Sequence, residues 1–210
     1  MKLLLAGATG LVGGQVLRLA LQDERVTSVV APVRRALPAH PKLLAPVVNF
    51  DSLPWNEPWW QADAMICTLG TTMKKAQTRE AFKRVDYHYP LAIARQAKAQ
   101  GVQTCVLNSA TGASIASRFF YNRVKGELER DLAQLGFDSL TLVRPGLIGG
   151  EREEARTMEA LMMSFLRVAG PLLPKRMRLN PAENIARALL ESALNPPPGT
   201  HIIPAAALSD

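Results

Sequence analysis

Cysteine and histidine are scarce in this chain of 210 residues. The two cysteines, Cys67 and Cys105, each lie in an apolar run typical of a buried strand, and no CxxC spacing occurs. We therefore expect free thiols, a reducing compartment and no disulfide framework. The three histidines are scattered along the chain, so the sequence gives no support for a metal site.

Long hydrophobic runs are also missing. No apolar stretch approaches the ~20 residues of a membrane span, so we expect no integral membrane segment. Met1 and Lys2, followed by the apolar run 3–6, faintly resemble the start of a signal peptide. The run breaks at once into a glycine motif that cleavage would remove, so we expect no signal peptide and a cytoplasmic protein.

Basic residues are in moderate excess. Lys and Arg number 25 against 18 Asp and Glu, a formal net charge of +7. Such an excess can indicate nucleic-acid binding. The basic residues are dispersed and do not interleave with aromatic residues, so we expect no nucleic-acid partner. A nucleotide cofactor and an anionic small-molecule substrate explain part of the excess, and a homodimer or a protein partner is left open.

Strand and helix patterns alternate along the whole chain. Apolar runs predict buried parallel strands at Lys2–Ala6, Val26–Val33, Ala45–Phe50, Ala64–Leu69, Thr104–Leu107 and Leu140–Val143, with a final edge strand at His201–Ile203. Helical patterns are clearest at 10–22, 80–100, 117–135 and 182–194. Alternating βα units predict an α/β fold, a Rossmann-type doubly wound parallel sheet in a single domain over residues 1–210. We expect a cofactor core over about 1–145 and a small C-terminal cap over about 146–210.

The most informative motif opens the chain. The first strand runs directly into Gly7-x-x-Gly10-x-x-Gly13, the spacing of a dinucleotide-binding loop. Gly7 permits a tight turn, Gly10 lets the backbone approach the phosphates, and Gly13 lets the helix pack close to the strand. An isolated match could equally be an ordinary glycine-rich turn. The predicted pyrophosphate contacts are Gly7, Thr9, Gly10, Leu11, Val12 and Gly13.

The end of the second predicted strand indicates the type of cofactor. NAD enzymes usually carry Asp or Glu there, which binds the ribose 2′-hydroxyl. Here Arg34 and Arg35 follow the strand and no acid is nearby. Two guanidinium groups suit a 2′-phosphate, although an exposed basic loop is the alternative. We therefore expect NADP(H) to be preferred, with NAD(H) possible.

Strand carboxyl ends face the ligand crevice in open α/β sheets. Residues after later strands are therefore expected near the cofactor: Asp51, Leu69, Gly70, Thr71, Thr72 and Pro145. Asp51 could approach the adenine edge or cap a turn, and 70–72 could form an ordinary Ser/Thr turn. Beyond Pro145 lie Arg152 and Arg156, and we expect at least one of them to face the cleft and bind an acidic group of the substrate or the cofactor phosphates. A solvated helix in which they pair with neighbouring glutamates is the alternative.

A second motif, YNRVK, occupies residues 121–125. Tyr121 and Lys125 are four residues apart in a helical pattern, so their side chains share one helix face, about 6 Å apart along the axis. An ammonium group favours the phenolate, so Lys125 is suited to activate Tyr121 for proton transfer. An ordinary amphipathic helix is the alternative. Ser109 follows a predicted strand and could orient a substrate carbonyl, or belong to a Ser/Thr-rich turn.

Together these motifs resemble an atypical short-chain dehydrogenase/reductase. In that superfamily the residue matching Tyr121 is the general acid/base, the one matching Lys125 holds the nicotinamide ribose, and the one matching Ser109 positions the substrate. The resemblance implies oxidation or reduction of a small carbonyl or alcohol substrate with NADP(H). Asp86 stands where many members have an asparagine that holds a relay water, and Asn108, on the substrate side, is a less certain substitute.

A narrower resemblance covers residues up to about 156. It is carried by CTLGTT at 67–72, RVDYHY at 84–89, YNRVKGELE at 121–129 and RPGLIGGEREEAR at 144–156. These segments are similar to the Tat-interacting protein 2 family of oxidoreductase-like proteins. Because that family is thought to include members that act mainly through protein partners, an NADPH-binding regulator or scaffold without turnover is the alternative function.

Overall fold

The computed structural model describes residues 1–149 and 179–209. The strands are β1 Lys2–Ala6, β2 Ser28–Val30, β3 Leu43–Leu44, β4 Ala64–Cys67, β5 Thr104–Asn108, β6 Ser139–Arg144, β7 Ile148–Gly149, β8 Asn180–Pro181 and β9 Gly199–Pro204. The helices are α1 Leu11–Gln22, α2 Met73–Ala76, α3 Arg79–Lys83, α4 Tyr89–Ala99, α5 Phe120–Ala133 and α6 Ala182–Leu194. A π-helical turn, Arg84–His88, joins α3 to α4, and 3₁₀ turns lie at Pro58–Trp60 and Ala205–Leu208.

The main sheet has the strand order β3-β2-β1-β4-β5-β6-β9, and all its strand pairs are parallel. The predicted Rossmann-type doubly wound sheet is therefore confirmed. The chain moves outward from β1 to β3 and then returns to place β4 on the other side of β1. This reversal opens a crevice at the carboxyl ends of β1 and β4, where such folds bind ligands.

The core lies on both faces of this sheet because the central strands β1, β4, β5 and β6 are buried at almost every position. Leu3 and Leu5 of β1 pack with residues of α1 and α6, while Leu4 packs on the other face with residues of α4 and α5. This alternation follows from the two-residue period of a strand. No helix in the ranges 1–149 and 179–209 is both long and apolar enough to cross a membrane.

The position of the third strand is where the sequence-based prediction differs most from the structure. The prediction was Ala45–Phe50, but β3 is Leu43–Leu44, and beyond it only a single bridge joins Val33 to Val47. Pro46 explains the difference, because it has no N–H to donate to β2 and so interrupts the ladder. The predicted helices and the predicted final edge strand agree with α1, α3 to α6 and β9, with small differences at their ends.

Candidate cofactor and catalytic site

The glycine loop joins β1 to α1 at the crevice. Gly7 has a φ of +95°, which a residue with a side chain adopts only with strain. A Cβ on Gly13 would lie 2.0 Å from the Gly7 carbonyl oxygen, so only glycine lets α1 begin this close to β1. The Thr68 hydroxyl, after β4, donates to the Ala6 and Gly7 carbonyls at 3.1 and 3.2 Å. The loop is therefore fixed by the neighbouring strand as well as by its own turn.

This loop suits a pyrophosphate. Gly10 is the N-cap of α1 and supplies no side chain to accept hydrogen bonds from the first helical turn. Thr9 and Gly10 are exposed, whereas the Val12 side chain is buried in the core and could meet a ligand only through its backbone. Free amides at the start of a helix are the donors that phosphate groups require.

Lys125 forms a buried ion pair next to the segment that follows β4. Its Nζ lies 2.9 Å from Oδ1 of Asp86, and the side chains are 3% and 1% exposed. The second carboxylate oxygen of Asp86 accepts a hydrogen bond from the Thr71 amide at 2.7 Å. A Cβ on Gly70 would lie 3.9 Å from Nζ and 3.3 Å from Asp86 Oδ1. The predicted residues 70–71 and Lys125 thus form one cluster through Asp86.

The Asp86 carboxylate also determines the ionisation of Lys125. Burial alone would lower the pKa of the lysine, but the charge of Asp86, with smaller contributions from Tyr121 and Cys67, raises it above its ordinary value. Cys67 itself is a free, buried thiol, and burial raises its pKa to about 11. Lys125 is accordingly a protonated donor, and Cys67 stays neutral at physiological pH.

Tyr121 lies one helical turn before Lys125 at the start of α5 and is 40% exposed. Its ring packs edge-on against Phe82, with the centroids 5.8 Å apart. On the helix face that the two residues share, the Tyr121 phenol is therefore exposed and the Lys125 ammonium group is buried. The exposed phenol can reach a ligand in the crevice, and the buried lysine can reach one only through the Nζ donors that Asp86 leaves free.

Ser109 has a different environment from the one that the sequence suggested. It is 3% exposed, and its hydroxyl donates to the Glu129 carboxylate of α5. Arg144, at the end of β6, donates to both oxygens of the same carboxylate, through Nε at 3.0 Å and Nη2 at 2.5 Å. Because the single hydroxyl proton is used by Glu129, Ser109 offers a ligand its lone pairs rather than a donor.

The remaining predicted cofactor residues lie around the same edge of the sheet. Arg34 and Arg35 are exposed, and neither guanidinium has a carboxylate partner among the described side chains. Asp51 accepts a hydrogen bond from the Tyr89 hydroxyl at 2.6 Å and lies 3.8 Å from Arg84, so it already has partners. Thr72 caps α2 by accepting from the Lys75 amide.

The substrate side is described in part. Asn108 Oδ1, at the end of β5, is buried and has no hydrogen-bond partner within the described residues. The Pro145 carbonyl accepts from the Thr111 amide at 2.8 Å. A cavity of about 230 Å³ adjoins Arg144 and is lined otherwise by Thr111, Gly112, Ile202, Pro204, Ala205 and Ala206. Arg152 and Arg156, expected to face the substrate, lie outside the described residues.

Sequence reasoning missed the contributions of Glu129 and Thr68 and the pairing of Asp86 with Lys125. Glu129 follows Lys125 by four residues, so their shared helix face was readable, but its burial was not. Thr68 stands in the quoted CTLGTT segment without a role. In the parts of the chain that the structure covers, no group of His, Cys, Asp or Glu could hold a metal ion.

Comparison with known proteins identifies relatives of the chain. A family model named HIM1 matches residues 58–173. The mitochondrial protein FMP52 of Candida albicans is 37% identical over 161 residues, which cover 74% of this chain and 70% of the relative. The FMP52 protein of Eremothecium gossypii is 39% identical over 154 residues, covering 73% and 69%. These matches are to HIM1 and FMP52 proteins and do not support the narrower resemblance to the Tat-interacting protein 2 family.

The names of these relatives place them in mitochondria, so the prediction of a cytoplasmic protein is wrong. The prediction was inferred from the absence of a secretory signal and of a membrane span. Neither observation tests for an address that a receptor reads, which is a separate property of a sequence.

Solved structures share the fold at low identity. MoeE5, solved with UDP-glucose and NAD, has a TM-score of 0.73 and 16% identity, covering 97% of this chain and 75% of its own. WbmH of Bordetella bronchiseptica, solved with NAD⁺, has a TM-score of 0.69 and 16% identity, covering 97% and 75%. RMD of Pseudomonas aeruginosa, solved with NADPH, has a TM-score of 0.63 and 17% identity, covering 97% and 77%. The chain therefore has the short-chain dehydrogenase type of Rossmann fold, in which these neighbours hold a nicotinamide cofactor.

Proposed function

The chain belongs to the HIM1 family, and from this premise we propose that it is an NADP(H)-dependent oxidoreductase that acts on a small carbonyl or alcohol substrate. The observation that carries the proposal is the arrangement on α5. An exposed phenol, Tyr121, lies one turn from a buried and protonated Lys125, which is paired with Asp86 beside Gly70. A phenol and an ammonium group placed so are suited to proton transfer next to a bound cofactor.

The residues of the crevice fit a nicotinamide dinucleotide. Gly7 and Gly13 leave no room for a Cβ but let α1 present its first amides to a pyrophosphate. Lys125 has three donors and uses one on Asp86, so two are left for ribose hydroxyls. The buried, unpaired Asn108 Oδ1 is an acceptor that a ligand donor in the crevice would satisfy.

The proposed reaction divides between cofactor and protein. When bound, the nicotinamide supplies a hydride to the carbonyl carbon, or accepts one from the alcohol carbon in reverse. Tyr121 gives its phenolic proton to the carbonyl oxygen, or takes it back in the oxidation direction. Lys125 holds the ribose and favours the phenolate that remains.

The preference for NADP(H) rests on Arg34 and Arg35. They follow β2 closely, they are exposed, and neither is neutralised by a described carboxylate. Guanidinium groups bind phosphate through paired donors, so an unpaired arginine at this place favours a 2′-phosphate over a hydroxyl.

The proposed activity is tested with a panel of small carbonyl compounds, by following the consumption of NADPH. Tyr121→Phe should keep NADPH binding and lose about 10²- to 10⁴-fold in turnover, because only the proton donor is removed. Tyr87→Phe is the matched control, since it removes a phenol whose hydroxyl is bound to Asp131 of α5. Near-full activity in Tyr121→Phe would contradict the assignment of Tyr121 as the general acid.

A second candidate is an NADPH-binding regulator or scaffold that acts through protein partners without turnover. One observation favours it: the Ser109 proton is used by Glu129 and is not free to orient a substrate carbonyl. Wild-type protein that binds NADPH by calorimetry but consumes none with any compound of the panel would support this candidate over the enzyme.

A further inference from the structure

Asp86 and Lys125 are the most deeply buried ion pair of the described chain. The pair has no exposed edge, since the two side chains are 1% and 3% exposed. Removing two charges from water is unfavourable unless their geometry is good and the other polar atoms are also bonded. Both conditions are met, because the Nζ–Oδ1 distance is 2.9 Å and Oδ2 accepts from the Thr71 amide at 2.7 Å.

The backbone around Asp86 is unusual. Asp86 is the middle residue of the π-helical turn Arg84–His88, and such turns are rare and frequent at functional sites. Two neighbouring contacts attach this region to α5, namely Tyr87 to Asp131 and Lys83 to Glu127. The turn is therefore held firmly against the helix that carries Tyr121 and Lys125.

We propose that Asp86 is a positioning residue, which holds Lys125 in place for the cofactor and joins it to the Gly70–Thr71 segment that follows β4. This inference rests on the proposed function, since it assigns Lys125 to the cofactor ribose. Asp86 itself is too deeply buried to touch a substrate. It acts on the ligand through Lys125 on one side and through the Thr71 backbone on the other.

The other titratable groups near the pair determine how the pKa of Lys125 would change if the Asp86 carboxylate were lost. Tyr121 of α5 and Cys67 of β4 are the other titratable groups that act on Lys125. Both are weaker influences than Asp86, so without it burial would dominate. The lysine would then lose its proton at a lower pH, and its side chain would no longer be tied to Thr71.

The test compares Asp86→Asn with Asp131→Asn. The first change removes the charge at Lys125 and keeps the shape of the side chain. The second removes a carboxylate that contacts the same π-helical turn, through Tyr87, without contacting Lys125. Asp131→Asn therefore controls for a general loosening of the turn.

The first measurement needs no cofactor. Lysine side-chain carbons are followed by NMR over a pH series, and the Lys125 signal is identified by its loss in Lys125→Met. We expect the titration midpoint of Lys125 to fall by at least one pH unit in Asp86→Asn, which is a tenfold change in its acid dissociation constant. The midpoint should be unchanged in Asp131→Asn. An unchanged midpoint in both variants would overturn the inference.

The second measurement is NADPH affinity by calorimetry. We expect Asp86→Asn to bind about tenfold more weakly and Asp131→Asn to bind as the wild type does. Wild-type affinity in Asp86→Asn would overturn the positioning role. If wild-type protein binds no NADPH, the proposed function fails, and the lysine titration alone decides whether Asp86 holds Lys125.

A second variant keeps the test decisive if Asp86→Asn does not fold. Asp86→Glu retains the charge and moves it by one methylene. We expect Lys125 to stay protonated in this variant while NADPH binding weakens, because the position and not the charge has changed. Wild-type NADPH affinity in Asp86→Glu would show that the exact placement of the carboxylate is unimportant and would overturn the proposal.

Discussion

Ser109 donates its hydroxyl proton to Glu129, twenty residues further along the chain. Arg144 binds the same carboxylate from β6, so the end of two strands and the middle of α5 meet at one buried acid. A serine that sequence comparison would assign to the substrate is thus part of an internal network. The network fixes the Ser109 side chain by joining it, through Glu129, to Arg144.

The first prediction concerns this network. Arg144→Met should lower the free energy of unfolding by about 3 kcal/mol, because it leaves the Glu129 charge buried without its partner. Arg187→Met is the control, since Arg187 and its partner Glu183 are 63% and 45% exposed; it should cost about 0.5 kcal/mol or less. Urea unfolding measures both. Equal changes in the free energy of unfolding for the two variants would contradict the larger contribution expected from the buried ion pair.

The second prediction concerns adjacent glycines in α1. In Gly13→Ala the new Cβ would lie 2.0 Å from the Gly7 carbonyl oxygen, so the glycine loop must move and NADPH binding should be lost. In Gly14→Ala the nearest neighbour is at 3.7 Å, and alanine should stabilise the helix by about 0.5–1 kcal/mol. Thermal unfolding and NADPH titration separate the two. A Gly13→Ala protein with wild-type affinity would disprove the close approach.

The third prediction concerns cofactor choice. Arg34→Ala should weaken NADPH binding by about ten- to a hundredfold, the loss of one charge-assisted contact of about 1.5–3 kcal/mol, and leave NADH binding unchanged. Arg187→Ala changes the net charge equally on the exposed surface of α6 and should affect neither cofactor. Calorimetry with both cofactors is the measurement. Equal affinities of the wild type for NADPH and NADH would refute the assignment of Arg34 and Arg35.

The fourth prediction concerns acid stability. Hydrogen bonds from Arg130 and then Tyr87 lower the pKa of Asp131 below its ordinary value of 3.8. A depressed carboxylate pKa stabilises the fold above the ordinary value, and this contribution is lost as pH falls through the folded-state pKa. Asp131→Asn should therefore be less stable than the wild type at pH 5 and above, and the difference should shrink below about pH 4.

Urea unfolding over a pH series measures this difference. Tyr87→Phe, which removes only one of the two donors, should lie between the wild type and Asp131→Asn. Curves that stay parallel from neutral to acid pH would show that Asp131 has no depressed pKa.

Much of the fold could be predicted from local pattern. The helices α1 and α6 were located to within a residue, because each has a periodic apolar face and a clear start or stop in the sequence. The third strand could not, because two residues carry no periodicity and the ladder ends at a proline. The hydrophobic pattern of the sequence is therefore least informative for a short edge strand such as β3.

The candidate site divides in the same way. The spacing of Tyr121 and Lys125 was readable, since a helix fixes neighbours four residues apart. The partner of Lys125 was not, because Asp86 lies on a different element, and its contact depends on how a π-helical turn packs against α5. Ser109 was placed at the correct strand end, but its hydrogen bond depends on burial of Glu129, which the sequence does not reveal.

The hydrogen bonds from Thr68 to the glycine loop affect the order in which the protein folds. The Thr68 hydroxyl that holds the Gly7 carbonyl lies 61 residues further along the chain. Closing a loop of that length has an entropic cost of roughly 3–4 kcal/mol before any contact forms. The first βα unit therefore does not reach its final shape until β4 has joined β1, although it precedes β4 in the chain. Nucleotide binding should appear late in refolding, and a ligand of this loop should stabilise the long-range strand pairing rather than the N-terminal segment alone.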